Sequence, residues 1–224
     1  MFTQNTFRFL DELAANNNRG WFETNKKNYE LLVREPALQF IEAMASVLNS
    51  FAPAFRADPR KTGGSLMRVY RDTRFARDKT PYKTNIGIQF RHQLGKDVHA
   101  PGFYVHIATD ECFFAVGCWH PDADALSGIR NLIVEKPDLW TAARDDKKFL
   151  TDWKQEGASL LRPPRGYDVK HPLIADLKRK DFIALSPLAI NEVTGNKLVK
   201  LAGKRFETTL PLMKFLCTAV GAAF

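Results

Sequence analysis

Residues 68–83 read RVYRDTRFARDKTPYK, with arginines at every third position: Arg68, Arg71, Arg74 and Arg77. Lys79 and Lys83 follow, and Asp72 and Asp78 sit among them, leaving +4 over 16 residues, half of the chain's formal +8. Guanidinium groups at this density repel one another unless something anionic lies between them. One reading is an anion site in which Arg68, Arg71, Arg74, Lys79 and Lys83 hold a phosphate or carboxylate. The other is an internal lattice in which Asp72 and Asp78 neutralise their neighbours and pin a loop to a sheet. The spacing alone leaves both open.

Other residue types extend the first reading. Trp21 and Asn25 share a face of the segment NNNRGWFETNKKNYE, and Tyr82 stands inside the basic run. Aromatic rings beside cations can stack bases while the cations hold phosphates. For acid–base chemistry the candidates are Asp72, Asp78 and His106. His92, His99 and His106 recur every seven residues. Without an H-x-H or H-E-x-x-H spacing they predict no metal site. There is no phosphate-loop motif, no dinucleotide glycine motif and no G-x-S-x-G elbow, so the sequence names neither a nucleophile nor a cofactor.

These residues need a scaffold, and 224 residues with 45% hydrophobic content and 17 Phe can bury a large core. Helical periodicity is expected over 6–15, over the stretch WFETNKKNYELLVRE, and over 36–51, where Pro36 suits a first turn. SLMRVYRD, NIGIQFRH, GFYVHIA and ECFFAVGCW read as successive strands, the last two joined by the turn Thr109-Asp110-Glu111. Strands in succession without helices between them imply antiparallel pairing. Helices are expected at about 124–135, with Asp122 or Asp124 as cap, from Pro137 to about Ala143, over Asp145–Gln155 and over Pro172–Arg179. FIALSPLAI is a fifth strand, and 195–206 and 209–222 are helical. The expectation is one α+β domain over 1–224, with a central, mainly antiparallel sheet of about five strands flanked by N-terminal and C-terminal helices.

No stretch approaches the roughly 20 apolar residues of a membrane span. Arg8, Asp11 and Glu12 fall where a signal peptide would be apolar, so the chain is expected to stay in the cytoplasm, away from membranes. Cys112 and Cys118 on one extended strand would stand about 20 Å apart. All three cysteines are therefore expected as buried free thiols.

The run R-x-x-R-D-x-R-F-x-x-D-K-x-P-Y-K resembles the pattern of the domain of unknown function 2461 family. The likeness includes Asn17–Tyr29, GFYVHI, the Gly117–Pro121 segment, Pro164-Arg165-Gly166-Tyr167 and His171-Pro172. It spans roughly residues 6–206 and implies a bacterial-type soluble protein of one domain, with no activity, substrate or cofactor attached. The family pattern has an acidic residue where Gly20 stands and Ser-Lys where Ala76-Arg77 stand, so a hydroxyl at position 76 is not essential to shared chemistry.

Three functional readings remain. The leading one is a binding protein whose Arg-rich cleft takes a phosphate-bearing or other anionic ligand, nucleic acid included. The second is an enzyme on a small anionic substrate, using Asp72, Asp78 or His106. The third is a protein–protein interaction module with an acidic partner.

Overall fold

The computed structural model describes residues 1–95 and 100–224, so His99 lies outside the described residues. The chain opens with helix α1 (Gln4–Ala15), helix α2 (Arg19–Tyr29), a π-helical turn (Glu30–Arg34) and helix α3 (Glu35–Phe51). Asn18 caps α2 by accepting a bond from the Trp21 N–H at 3.0 Å. Pro36 stands in the first turn of α3, as expected, and the chain enters that turn without leaving helical backbone. A proline lacks the N–H for the carbonyl four residues back and collides with it. Here the preceding turn widens instead, and the Glu35 N–H reaches the Glu30 carbonyl, five residues back.

Strands β1 (Phe55–Arg56), β2 (Ile86–His92), β3 (Gly102–Ile107) and β4 (Cys112–Cys118) follow. Helices α4 (Ala123–Glu135), α5 (Pro137–Arg144) and α6 (Lys147–Asp152) lead to strand β5 (Lys154–Glu156). Helix α7 (Ile174–Leu177), strand β6 (Phe182–Pro187) and helices α8 (Ile190–Thr194), α9 (Leu198–Glu207) and α10 (Leu210–Ala219) complete the chain. Among the described residues the strands form one six-stranded sheet in the order β1-β2-β3-β4-β6-β5. Every neighbouring pair is antiparallel, which makes the protein a single-domain α+β fold.

Side chains alternate across the sheet because successive Cβ atoms point to opposite faces. Ile88, Phe90, Phe103, Val105, Ile107, Phe114 and Val116 are fully or nearly fully buried against the helices. Phe206 of α9 sits at the centre of this layer, 4.9 Å from the Phe103 ring and 5.1 Å from that of Phe114. Phe40 of α3 meets Phe90 with ring centroids 6.4 Å apart. On the other face Gln89, Tyr104, His106, Phe113, Ile183 and Leu185 are only partly buried. The β3–β4 hairpin closes at the expected turn, with Ile107 opposite Cys112. Asp122 caps α4 by accepting from the Ala125 N–H at 2.8 Å. All three cysteines are free and buried. No helix among the described residues is long and apolar enough to cross a membrane.

Two sequence expectations need correction. SLMRVYRD is not a regular strand. It runs antiparallel to residues 81–89, with Met67 N–H to the Gly87 carbonyl at 2.9 Å and Lys83 N–H to that of Val69 at 2.7 Å. Its bridges, Leu66 with Ile88 and Tyr70 with Tyr82, are out of step by two residues. The extra residues between them, around Thr84-Asn85, interrupt the ladder. Asp145–Gln155 is a short helix, α6, followed by the edge strand β5 rather than helix throughout. Asp146 starts that helix, accepting from the Phe149 N–H at 2.9 Å. β1 lies in what reads as a loop, and the six strands of the sheet are close to the expected number of about five.

Candidate functional site

The irregular ribbon 65–71 and the strand it borders divide the basic run between two concavities. The first is a cavity of about 510 Å³, formed by the ribbon, the loop 61–64, Tyr29 at the end of α2 and Arg34 in the π-helical turn. Among the described residues, five cationic ones line it: Arg34, Lys61, Arg68, Lys83 and Arg91. Among the described residues its lining includes no Asp or Glu. The second concavity, about 330 Å³, lies on the other side of Lys83 and is bordered by Asn17, Arg71, Asp78, Thr80, Tyr82 and Asn85. Lys83 borders both.

The four arginines at three-residue spacing therefore have different fates. Arg68 is exposed at the first cavity. Arg71 is bonded to Asp78 and Thr80. Arg74 grips Asp72 through two parallel bonds of 2.9 and 2.7 Å. Arg77 is exposed, and Lys79 donates to the Thr73 carbonyl at 2.9 Å, closing the loop on itself. The Arg74 guanidinium, bonded to Asp72, holds that carboxyl down at about 2. Arg71 does the same for Asp78, helped by Thr80, again to about 2. Carboxylates this acidic, each held by its own guanidinium, are poor proton acceptors at neutral pH.

Tyr82 is buried, its ring stacked on Phe22 with centroids 4.0 Å apart. Its backbone is clamped from 65 residues away. Asn17 Nδ2 donates to the Tyr82 carbonyl at 2.9 Å, and the Tyr82 N–H donates to Asn17 Oδ1 at 3.0 Å. This clamp ties the α1–α2 turn to the end of the basic run. Asn17→Ala is expected to cost about 1–3 kcal/mol, because both Tyr82 groups lose a partner where water reaches them poorly. Urea unfolding measures the cost, and faster hydrogen exchange at the Tyr82 amide locates it.

Trp21 and Asn25 lie away from both concavities. Trp21 packs on Phe9 with centroids 5.6 Å apart, and Asn25 Nδ2 donates back to the Trp21 carbonyl at 3.0 Å. His106 lies on the partly open sheet face. Its ring is stacked on Phe113 at 4.6 Å, and its Nδ1 is 3.2 Å from the Tyr104 hydroxyl and 3.5 Å from Asn85 Nδ2. Gly87 makes room for this group: a methyl there would stand 2.8 Å from the Tyr104 hydroxyl. Burial lowers the His106 pKa, against the opposing pull of Glu111 and Asp110. Burial also pushes the Tyr104 phenol up to about 12, with the Asn85 bond acting the other way.

Tyr29, Arg34, Lys61, Tyr70 and Arg91 reach the first cavity without having been singled out from the sequence. Among the described residues, Arg34 has a carboxylate partner, Glu30, one helical turn back. Its guanidinium lies 5.1 Å from the centroid of the Tyr29 ring, and its buried Nε has no hydrogen-bond partner among the described residues. The strand alternation of β2 carried one legible signal. Arg91 alternates with Phe90 and His92 and so had to leave the core. For Arg34 and Lys61 the chain holds no local cue, since it is the fold that brings them to the ribbon.

A single antiparallel sheet with helices packed against it places the protein in the α+β class. Within that class the family model described as conserved hypothetical protein (DUF2461) matches residues 5–215, and the chain belongs to this family. No curated protein and no solved structure gives a match.

Proposed function

We propose that this protein binds a phosphate-bearing or other anionic small molecule in the 510 Å³ cavity. The observation that carries the reading is the composition of that lining, which among the described residues has Arg34, Lys61, Arg68, Lys83 and Arg91 and no Asp or Glu. Like charges gathered around a concave surface are relieved by an anion, and arginine forks match phosphate and carboxylate oxygens. Tyr29, Leu66, Val69 and Tyr70 add apolar surface, which suits a ligand with a carbon skeleton or ring as well as a charge. A concavity of this size favours a small molecule over a nucleic-acid strand. The free, buried thiols agree with a cytoplasmic setting. Acid–base catalysis by Asp72 or Asp78 gains no support, because both are spent on arginines.

Calorimetric titration with inorganic pyrophosphate and with a mononucleotide tests the proposal. Binding is expected to weaken as salt rises from about 50 to about 500 mM. Arg68→Ala combined with Arg91→Ala is expected to raise Kd by about tenfold or more, while Arg74→Ala leaves it unchanged. Undiminished binding after Arg34, Lys61, Arg68, Lys83 and Arg91 are all changed to Ala would reject the reading.

A further inference from the structure

The cations of the cavity are not equivalent. Lys61 is exposed, whereas Lys83 is half-buried between the two concavities. The Lys83 backbone is fixed by its bond to the Val69 carbonyl at 2.7 Å, and Tyr82 before it is held by Asn17. Among the described residues its ammonium has no ion-pair partner. Asp78, the carboxylate that shares the second concavity with it, is taken by Arg71 and Thr80. The like-charged Arg68 lines the first cavity beside it. Burial, then the Arg68 guanidinium, hold the Lys83 amine below the ordinary lysine range. Desolvation and a cationic neighbour are the two features that turn a lysine into a usable nucleophile near neutral pH.

We propose that Lys83 is a nucleophilic amine and that the cavity takes anionic aldehydes or ketones, captured at Lys83 as an imine; this rests on the anion-binding reading above. The lone pair of neutral Nζ adds to the carbonyl carbon, and the carbonyl π pair goes to oxygen, which is protonated to a hydroxyl. That hydroxyl then leaves as water. The two protons lost from nitrogen balance those carried off with the oxygen, and a C=N bond remains. No oxidant or reductant is consumed. Arg68, Lys61 and Arg91 hold the substrate's phosphate or carboxylate while the carbonyl meets Lys83.

Pyridoxal phosphate, an anionic aldehyde, is the probe. The intact protein is incubated with it briefly, the imine is reduced with borohydride, and labelled peptides are quantified by mass spectrometry. Lys83 is expected to be captured several-fold faster than Lys61 of the same cavity, since burial and the Arg68 guanidinium favour its neutral, nucleophilic form. It should also outpace the exposed Lys27, and inorganic pyrophosphate should protect it. Lys83→Arg should remove the fast component while thermal unfolding stays the same. Equal capture at Lys83 and Lys61, both faster than Lys27 and both protected, would overturn the imine and leave anion binding standing. Equal capture at all three, without protection, would remove both.

Discussion

Gly117→Ala is expected to abolish soluble expression or to destabilise the protein by more than about 4 kcal/mol. Gly117 has φ of +111° within β4, and a Cβ there would stand 2.0 Å from the Phe182 carbonyl oxygen. Two costs combine. The left-handed backbone is strained for any side chain. The obstructing atom is backbone of β6, hydrogen-bonded into the adjacent ladder, and cannot withdraw without breaking it. Gly166→Ala separates the two. Gly166 has φ of +91° with nothing within 4 Å of an added Cβ, so it should show the backbone cost alone, about 1–2 kcal/mol. Urea midpoints of the two variants give the comparison, and similar values would remove the clash argument.

The second large effect is expected at Asp181, buried just before β6. Its Oδ1 accepts from the His120 N–H at 2.8 Å and is 2.9 Å from His120 Nδ1; its Oδ2 accepts from the Ala158 N–H at 2.9 Å. Both oxygens thus face donors, and an amide NH₂ cannot replace either. Asp181→Asn should cost about 3–5 kcal/mol. It should also release His120, which stands at φ of +49° beside the exposed Trp119. Burial alone would raise the Asp181 pKa, but the backbone bonds from Ala158 and His120 and the His120 imidazole outweigh it and hold the value below normal. The sign follows. A carboxyl with a depressed folded pKa contributes its full stability above the unfolded value of about 3.9 and loses it as pH falls through the folded one. The gap between wild type and Asp181→Asn, read from urea unfolding, should therefore narrow on acidification below about pH 4. A gap that is constant with pH would mean that the carboxylate is not the source.

The fold was largely legible because its signals are local. The period-two pattern of GFYVHI and ECFFAVGC marks two strands with His106 facing alongside Tyr104, and the structure has both. Asp122 before an apolar helical stripe marks the start of α4. What failed to read depends on contacts distant in sequence. Pro36 marks the first turn of α3 as its local sequence suggests, but the π-helical turn that leads into it carries no local signal. SLMRVYRD has the alternation of a strand but loses register against 81–89. The candidate site divides in the same way. Its density of positive charge is plain in the sequence, and Arg68 and Lys83 reach the cavity. Which guanidiniums are spent on Asp72 and Asp78 is decided by loop geometry, and no spacing rule separates Arg68 from Arg74.

The sheet ends in stubs on both sides: β1 has two residues and β5 has three. β5 carries Lys154 and Glu156 on one side, paired to each other at 2.8 Å. A rim this short exposes few vacant amide and carbonyl groups, too few to template a row of hydrogen bonds from a second molecule. Fibre-like stacking through these strands is thereby discouraged. Copies of the chain that do associate must meet through side chains rather than by extending one another's backbone.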